Sequence, residues 1–483
     1  MAGIAGVARP DDERRIQEAL EKIAHRGGAG TCARSYDGAT LGQVWPPAHE
    51  PFAINCDQHA VVLDGEIHNW SDLAHGATCP LESLEKAYRA SGPEFVTRLD
   101  GPFALAIAGL EGIFLARDVV GKSPLYYGWC DGSMCFASEL KALLNWAQDI
   151  SEFPPGHYYE PGRGLVEYGS LERLPEIELP ADEVAAGLRE RLTESVRKRV
   201  AGGETGAWLS GGLDSATMTA LASREVPELQ TFGVGVEGAP DLEYARMVAD
   251  FVGAQHRERL CTLDEMLAIL PEVLYHLESF DALLVRSSIT NFLVGKLASD
   301  HVPAVLSGEG GDELFAGYAY LKKLDAKDLP DELIDITGRL HNTALQRVDR
   351  CSAAHGLVAR TGFLDTDVVD YAMRIPAEMK VAGDTQLVGK WILRRAMDGL
   401  LPDQVLERPK AKFWAGAGVG DLLAHHAEDA ITDAEFQSAR ELPDGSKLTT
   451  KEELFYYRIF RQQFDADVDP SLVARTKGAP VAP

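Results

Sequence analysis

Ser210-Gly211-Gly212-Leu213-Asp214-Ser215 follows the short apolar run Ala207-Trp208-Leu209 and precedes a helix-forming stretch from Ala216 to Ser223. That order reads as strand, tight turn and helix N-terminus. Paired glycines let the backbone approach an anion, while exposed N–H groups and the helix dipole stabilise its charge. Asp214 adds a carboxylate suited to a magnesium ion carried on phosphates. No Gly-Lys-Ser/Thr follows, so the run does not read as a loop for γ-phosphate transfer. It fits pyrophosphate. An ordinary glycine turn opening a helix has the same residues, so this loop does not decide the reading alone.

A second run, Leu306-Ser307-Gly308-Glu309-Gly310-Gly311-Asp312-Glu313-Leu314-Phe315, also follows an apolar strand, Val302–Leu306. Two such loops with an acid after each, inside one region, are much stronger than one. Asp214 and Asp312 could share one magnesium, a hard cation bound by hard oxygens. A third element, Arg408-Pro409-Lys410-Ala411-Lys412-Phe413, is basic; a solvated surface cluster is the plain alternative, and Lys412 fits that alternative better.

Around these loops the chain alternates helix and strand: a helix over Val184–Arg199, the strand before Ser210, a helix, the strand Gln230–Val236, the helix Leu242–Val252 and the strand Val302–Leu306. That alternation predicts a parallel, doubly wound sheet with its ligand at the carboxyl ends of the strands. Beyond Gly317 the pattern is largely helical to about Phe464. Before Glu183 it differs, with β-rich runs such as 59–64, 103–108 and 112–116 and helices near 14–24 and 82–90. Pro154-Pro155-Gly156 and Leu174–Asp182 read as a boundary. The division expected is an N-terminal domain over 1–175, a second domain over 183–465 and a disordered tail over 466–483.

The 483 residues carry a net charge of −27, which argues against nucleic acid or a membrane surface as the main partner. It also requires basic residues to gather wherever an anionic nucleotide binds. No apolar stretch spans a bilayer and no signal peptide is evident, so a cytoplasmic location is expected. Seven scattered cysteines with no Cys-x-x-Cys pair suggest neither a disulfide framework nor a zinc site.

In this order and spacing, the three runs resemble the synthetase domain of the glutamine-hydrolysing asparagine synthetases. Glu278-Ser279-Phe280-Asp281, Val285-Arg286-Ser287-Ser288, Arg347-Val348-Asp349-Arg350 and Ala359–Asp365 support the likeness, which covers most of 183–465. It implies a parallel-sheet PP-loop ATP pyrophosphatase fold with a helical C-terminal part. ATP and Mg2+ are the implied cofactors, and the partners are a small carboxylate and ammonia or an amine. The carboxylate attacks the α-phosphorus of ATP, and a nitrogen nucleophile then displaces AMP from the acyl-adenylate. By motif, Ser210, Gly211, Gly212, Asp214 and Ser215 cradle pyrophosphate, with Asp214 and Asp312 on magnesium. Leu209, Val234, Ser307 and Gly308 line the adenosine. Lys410 matches the family's active-site lysine, Glu309 a glutamate beside the adenylate, and Arg286 an arginine linked to the amino-acid substrate. A homodimer is implied by resemblance alone.

Departures accompany the match. Leu283 and Leu284 stand where bacterial members carry threonines; Val358 replaces a glutamate and Gly362 a proline. Apolar for polar exchange near a pocket changes which carboxylate fits, so aspartate is not assured as substrate.

Upstream, Gly3-Ile4-Ala5-Gly6, His25-Arg26-Gly27, Gly65-Glu66-Ile67-His68-Asn69 and Phe136-Ala137-Ser138-Glu139 resemble the family's class II glutamine amidotransferase domain, an Ntn-like αββα sandwich. The catalytic positions differ. The family's nucleophile is an N-terminal cysteine whose own amino group is the base; removing Met1 would expose Ala2. The family's Asn-Gly-Glu reads Asp64-Gly65-Glu66, replacing an oxyanion donor with an acid. No arginine lies near Val44-Trp45-Pro46, and only a shifted Glu82 could replace the aspartate expected near Pro80. The resemblance therefore implies a degenerate glutaminase site. Nitrogen would come from ammonia or a small amine, acting on an aspartate-like amino-acid carboxylate. The related β-lactam synthetases, also without a working glutaminase, close a ring with an internal amine, usually with tyrosine where this chain has Glu309; that alternative suits specialised metabolism. A non-catalytic homologue, decayed in both halves, is the third reading.

Overall fold

The computed structural model describes residues 2–28, 30–45, 59–110, 112–383, 387–409, 416–464, 468–473 and 475–476. The chain divides into two compact units. One is Met1–Leu171 with Ala353–Gly356 and Phe464–Val473; the other holds Glu172–Ser352, Leu357–Gln463 and Ala474–Pro483.

In the first unit, β1 (Gly3–Val7), β2 (Gly30–Tyr36), β3 (Ala39–Trp45), β7 (Tyr126–Cys130), β8 (Ser133–Ala137) and β9 (Gln148–Glu152) form one antiparallel sheet, ordered β2-β3-β1-β8-β7-β9. A second sheet, ordered β11-β10-β6-β5-β4, comprises β4 (Ala60–Gly65), β5 (Phe103–Gly109), β6 (Gly112–Arg117), β10 (His157–Glu160) and β11 (Gly164–Glu167). The two-residue alternation of a strand sorts their side chains. Ala60, Val62, Ala104 and Ala106 meet Ile4, Leu41 and Phe136 between the sheets. Val61, Leu63, Leu105 and Ile107 face the other way, onto Leu84 and Phe95. Ile16 and Leu20, from the helix Glu13–Lys22, cover the other sheet beside Val7 and Tyr126. Helix, sheet, sheet and helix therefore stack in that order, as expected.

Two sequence expectations are corrected here. Pro154-Pro155-Gly156 is not a boundary, because β10 and β11 follow it within the same unit; Gly156, at φ +66, makes the turn where a Cβ would meet Gly169 O at 1.9 Å. The 466–483 stretch is not wholly disordered. Val468 and Leu472 pack beside Ile16 and Leu20, and Pro470–Leu472 forms a 3-10 turn. In the second unit, Thr476 Oγ1 donates to Asp281 Oδ1 at 2.7 Å. Residues 477–483 lie outside the described residues.

The second unit is built on a parallel sheet: β12 (Thr205–Trp208), β13 (Gln230–Gly235), β14 (Gln255–Leu260), β15 (Ala304–Ser307) and β16 (Val358–Thr361), ordered β14-β13-β12-β15-β16. The chain moves from β12 to β13 on one side and later enters β15 on the other, so the sheet's switch point lies at the carboxyl end of β12. Both glycine loops emerge there, side by side. Sequence reasoning missed the two edge strands. β14 reads Gln-His-Arg-Glu-Arg-Leu and is half exposed, so it shows no apolar run; β16, only four residues long, interrupts the stretch expected to be helical. Charged residues at a sheet edge discourage pairing with other chains, and the same charges hide the strand from hydrophobic pattern.

Candidate active site

The first loop is held by its own hydroxyls. Leu209 N–H donates to Phe232 O at 2.8 Å, extending β12 to the turn. Ser215 Oγ donates to Gly212 O at 3.0 Å and accepts from Ser210 N–H at 3.2 Å. Gly211 adopts φ +71, and a Cβ there would lie 2.4 Å from Tyr244 Cβ. Only glycine meets both demands. The helix Leu213–Ala222 then opens with Asp214 in its first turn.

The second loop packs directly onto the first. A Cβ on Gly308 would meet Ser215 N at 2.8 Å, and one on Gly311 would meet Asp214 Oδ1 at 2.5 Å. These close approaches bring the two acids together. Lys390 Nζ lies 2.6 Å from Asp214 Oδ2 and 2.5 Å from Asp312 Oδ1, so one cation already touches both carboxylates. Lys390 was not singled out from sequence. It sits at φ +59 after the hairpin Val381–Ala382/Val388–Gly389, an unusual conformation for a lysine and one that no sequence pattern marks.

Other cations converge as the net charge requires. A cavity of about 200 Å3 is bordered by Ser210, Gly212, Asp214 and Ser215 together with Lys322, Lys390, Arg394 and Arg408. Arg394 is fixed by three backbone carbonyls, those of Gly389, Leu406 and Arg408. Burial pushes its guanidinium pKa down, with Asp214 opposing the shift. Arg408 is not a solvated surface charge: its NH2 is 2.5 Å from Asp241 Oδ1, and its guanidinium stacks 4.0 Å over Tyr244. A larger cleft of about 1200 Å3 borders the helix Ala181–Val200. Six acids and three arginines line it, so it suits an anionic nucleotide less than the smaller cavity, where four bases stand against three acids.

Leu209, Val234 and Ser307 are all buried at the ends of adjacent strands. Glu309 pairs with Arg347, from the helix Ala344–Ala353. Arg286 is engaged bidentately by Glu452, with Nε 2.8 and 3.0 Å from its two oxygens, and Tyr456 Oη donates to Glu452 Oε1 at 2.7 Å. The arginine aligned with substrate binding thus has an internal carboxylate partner. Beside it, Leu284 is buried and Leu283 half-buried. Lys410 and Lys412 lie outside the described residues.

Among the described residues, no group of three or more His, Cys, Asp or Glu side chains is arranged to hold a metal. The pair Asp214 and Asp312 nevertheless fits magnesium: both offer hard oxygens to one shared cation, and such an ion commonly completes its shell with phosphate and water. No helix among the described residues is long and apolar enough to cross a membrane.

In the first unit, Asp64 is buried at the end of β4. Its Oδ2 accepts from Arg26 NH2 at 3.1 Å and from Ser138 Oγ at 2.8 Å. Arg26 also reaches Glu139 Oε1 at 2.8 Å and Ala2 O at 2.8 Å, while Lys141 pairs with Glu139. Two buried acids and two buried bases therefore balance where the glutaminase motifs converge. Burial pushes the pKa of neighbouring His25 down, against the pull of Glu139. Gly65, at φ +138, would set a Cβ 2.1 Å from Pro102 O, while Glu66 N–H donates to that oxygen at 2.9 Å.

A family profile described as asparagine synthase matches residues 187–335 and 328–477, and one described as a glutamine amidotransferase domain matches residues 1–159. Asparagine synthetase [glutamine-hydrolyzing] 2 of Arabidopsis thaliana is 34% identical, over 93% of this chain and 84% of its own length. The chain belongs to the asparagine synthetase family. Asparagine synthetase [glutamine-hydrolyzing] of Zea mays is 33% identical over 94% of this chain and 84% of its own length. That of Sandersonia aurantiaca is 32% identical over 97% of each. Family membership accounts for the sandwich and the parallel sheet, while Asp64 and Ala2 are features of this chain's own sequence.

Proposed function

We propose that the chain, an ATP-dependent carbon–nitrogen ligase by family, activates a small carboxylate as its acyl-adenylate and passes the acyl group to ammonia or a small amine, without hydrolysing glutamine itself. The observation that carries this is the joint approach of Asp214 and Asp312 to one cation on two interlocked glycine loops. Magnesium held by that pair would neutralise the departing pyrophosphate. The loop amides 210–215 and Arg394 would orient the phosphates, so most of the rate enhancement would come from positioning and charge. Glu309, steadied by Arg347, would accept a proton from the incoming nitrogen. Lys410 would stabilise charge at the reacting acyl and phosphoryl oxygens.

The absence of glutaminase chemistry rests on Asp64. Bound by Arg26 and Ser138, its carboxylate accepts hydrogen bonds and has none to give an oxyanion. The residue immediately before β1 is alanine, which supplies no nucleophile. Cys32 is no substitute, because placing it first would delete β1, which pairs with both β3 and β8. A second reading, closure of a ring by an amine on the substrate itself, is supported by the same departures at Ala2 and Asp64, while Glu309 favours the external amine.

Pyrophosphate release with ATP, Mg2+ and a carboxylate panel, run with ammonia, with glutamine and with neither, tests the proposal. Ammonia-dependent release supports the external-amine reading, and release without added nitrogen supports ring closure. Glutamine outperforming ammonia would refute the loss of glutaminase; silence throughout would favour a non-catalytic homologue.

A further inference from the structure

We propose that Lys390 is the resident counter-ion of the Asp214–Asp312 pair, and that a divalent metal enters only by displacing its ammonium, which makes metal binding conditional on nucleotide. The inference rests on the nucleotide-site reading above. Its starting point is geometric: Nζ sits 2.6 and 2.5 Å from the two carboxylates that would ligate the metal. A metal held between the same oxygens could not share that space with the ammonium.

The surrounding backbone is shaped to deliver this side chain. Lys390 takes φ +59, and its N–H donates to Phe315 O at 2.8 Å. A Cβ on Gly389 would meet Ala316 O at 2.3 Å, so the two segments run in close contact. Gly317 leaves the room: a Cβ there would lie 1.9 Å from Asp312 Oδ1 and 2.3 Å from Lys390 Cε. A strained backbone at a functional centre persists when its surroundings over-determine it.

Charge then sets the order of events. Two carboxylates and one ammonium leave a single negative charge in a nearly closed site; the lysine side chain is 3% exposed and each acid 12%. A divalent ion arriving alone would displace a buried ammonium from two carboxylates at once with no phosphate anion to receive it, which is costly. Nucleotide phosphates arriving with the metal supply that anion. The site therefore refuses free metal and accepts metal with nucleotide.

Manganese titration of the full chain, followed by electron paramagnetic resonance with and without an α,β-methylene ATP analogue, tests this. Wild-type protein is expected to bind Mn2+ at least tenfold more weakly without the analogue than with it. Lys390→Met is expected to bind nucleotide-free Mn2+ at least tenfold more tightly than wild type, and adding Asp214→Asn should remove the gain. Lys390→Arg, which keeps the cation, should stay weak. Unchanged nucleotide-free affinity in a folded Lys390→Met protein overturns the inference. So does wild-type Mn2+ binding that Asp312→Asn abolishes and that is equally tight with and without the analogue; this readout needs no variant at Lys390. If pyrophosphate is released yet Lys390→Met leaves Mn2+ affinity unchanged, this inference fails and the ligase reading stands. A tenfold gain without release on any carboxylate does the reverse.

Discussion

Arg26 NH2 lies 3.1 Å from Asp64 Oδ2, with both side chains buried. The acid is a buried counter-ion of Arg26. On the proposed reading, restoring the amide would not create a glutaminase, because Ala2 offers no nucleophile. Asp64→Asn should lower stability by about 3 kcal/mol through under-compensating Arg26, and glutamate release from glutamine should stay at background. Urea unfolding with a coupled glutamate assay checks both halves.

Glu309 meets Arg347 at the edge of the second loop. If Glu309 takes a proton from the nitrogen nucleophile, Glu309→Gln should slow amide formation about a hundredfold. The KM for ATP should change little. Steady-state kinetics that show a raised KM with unchanged kcat would instead make Glu309 a binding residue.

Gly211 combines φ +71 with backbone pressed against Tyr244. Gly211→Ala should cost about 2 kcal/mol in local strain and weaken binding of the ATP analogue more than it lowers Tm. Calorimetric titration beside thermal unfolding separates these effects.

Arg286 and Glu452 form a largely buried pair. Arg286→Ala should therefore lose about 3 kcal/mol of stability in addition to any effect on substrate, whereas an arginine serving substrate alone would leave Tm untouched. The double replacement Arg286→Met with Glu452→Met should recover part of that loss in denaturant unfolding.

Lys380 is buried, and burial pushes its pKa down from 10.5 to about 7, with Glu176 the opposing influence. The unfolded chain then holds more protons than the native one between those values, so this lysine destabilises most at pH 7 and below. The penalty fades as pH rises toward 10.5. Lys380→Met should be more stable than wild type at pH 7, and the gap should narrow by pH 9.5. An equal gap at both values would assign the change to packing rather than to charge.

Local sequence specified the two glycine loops, the strands that feed them and the alternation that layers the sandwich, because each depends on near neighbours: glycine for a positive φ, apolar side chains every second residue, hydroxyls that reach back one turn. The edge strands escaped, β14 because its charged, partly exposed residues carry no apolar run and β16 because it is only four residues long. Lys390, Asp241 and the pairing of Arg347 with Glu309 escaped for a different reason. A lysine 176 residues from Asp214 becomes its partner only once a hairpin and two glycine loops have folded against one another. The sequence alone determined two glycine turns after apolar strands and which acids and bases lie in and around them, Asp214, Asp312 and Asp64 among them. Only the tertiary structure decided what those acids and bases touch, because charges acquire partners through packing, and packing joins residues that local pattern cannot connect.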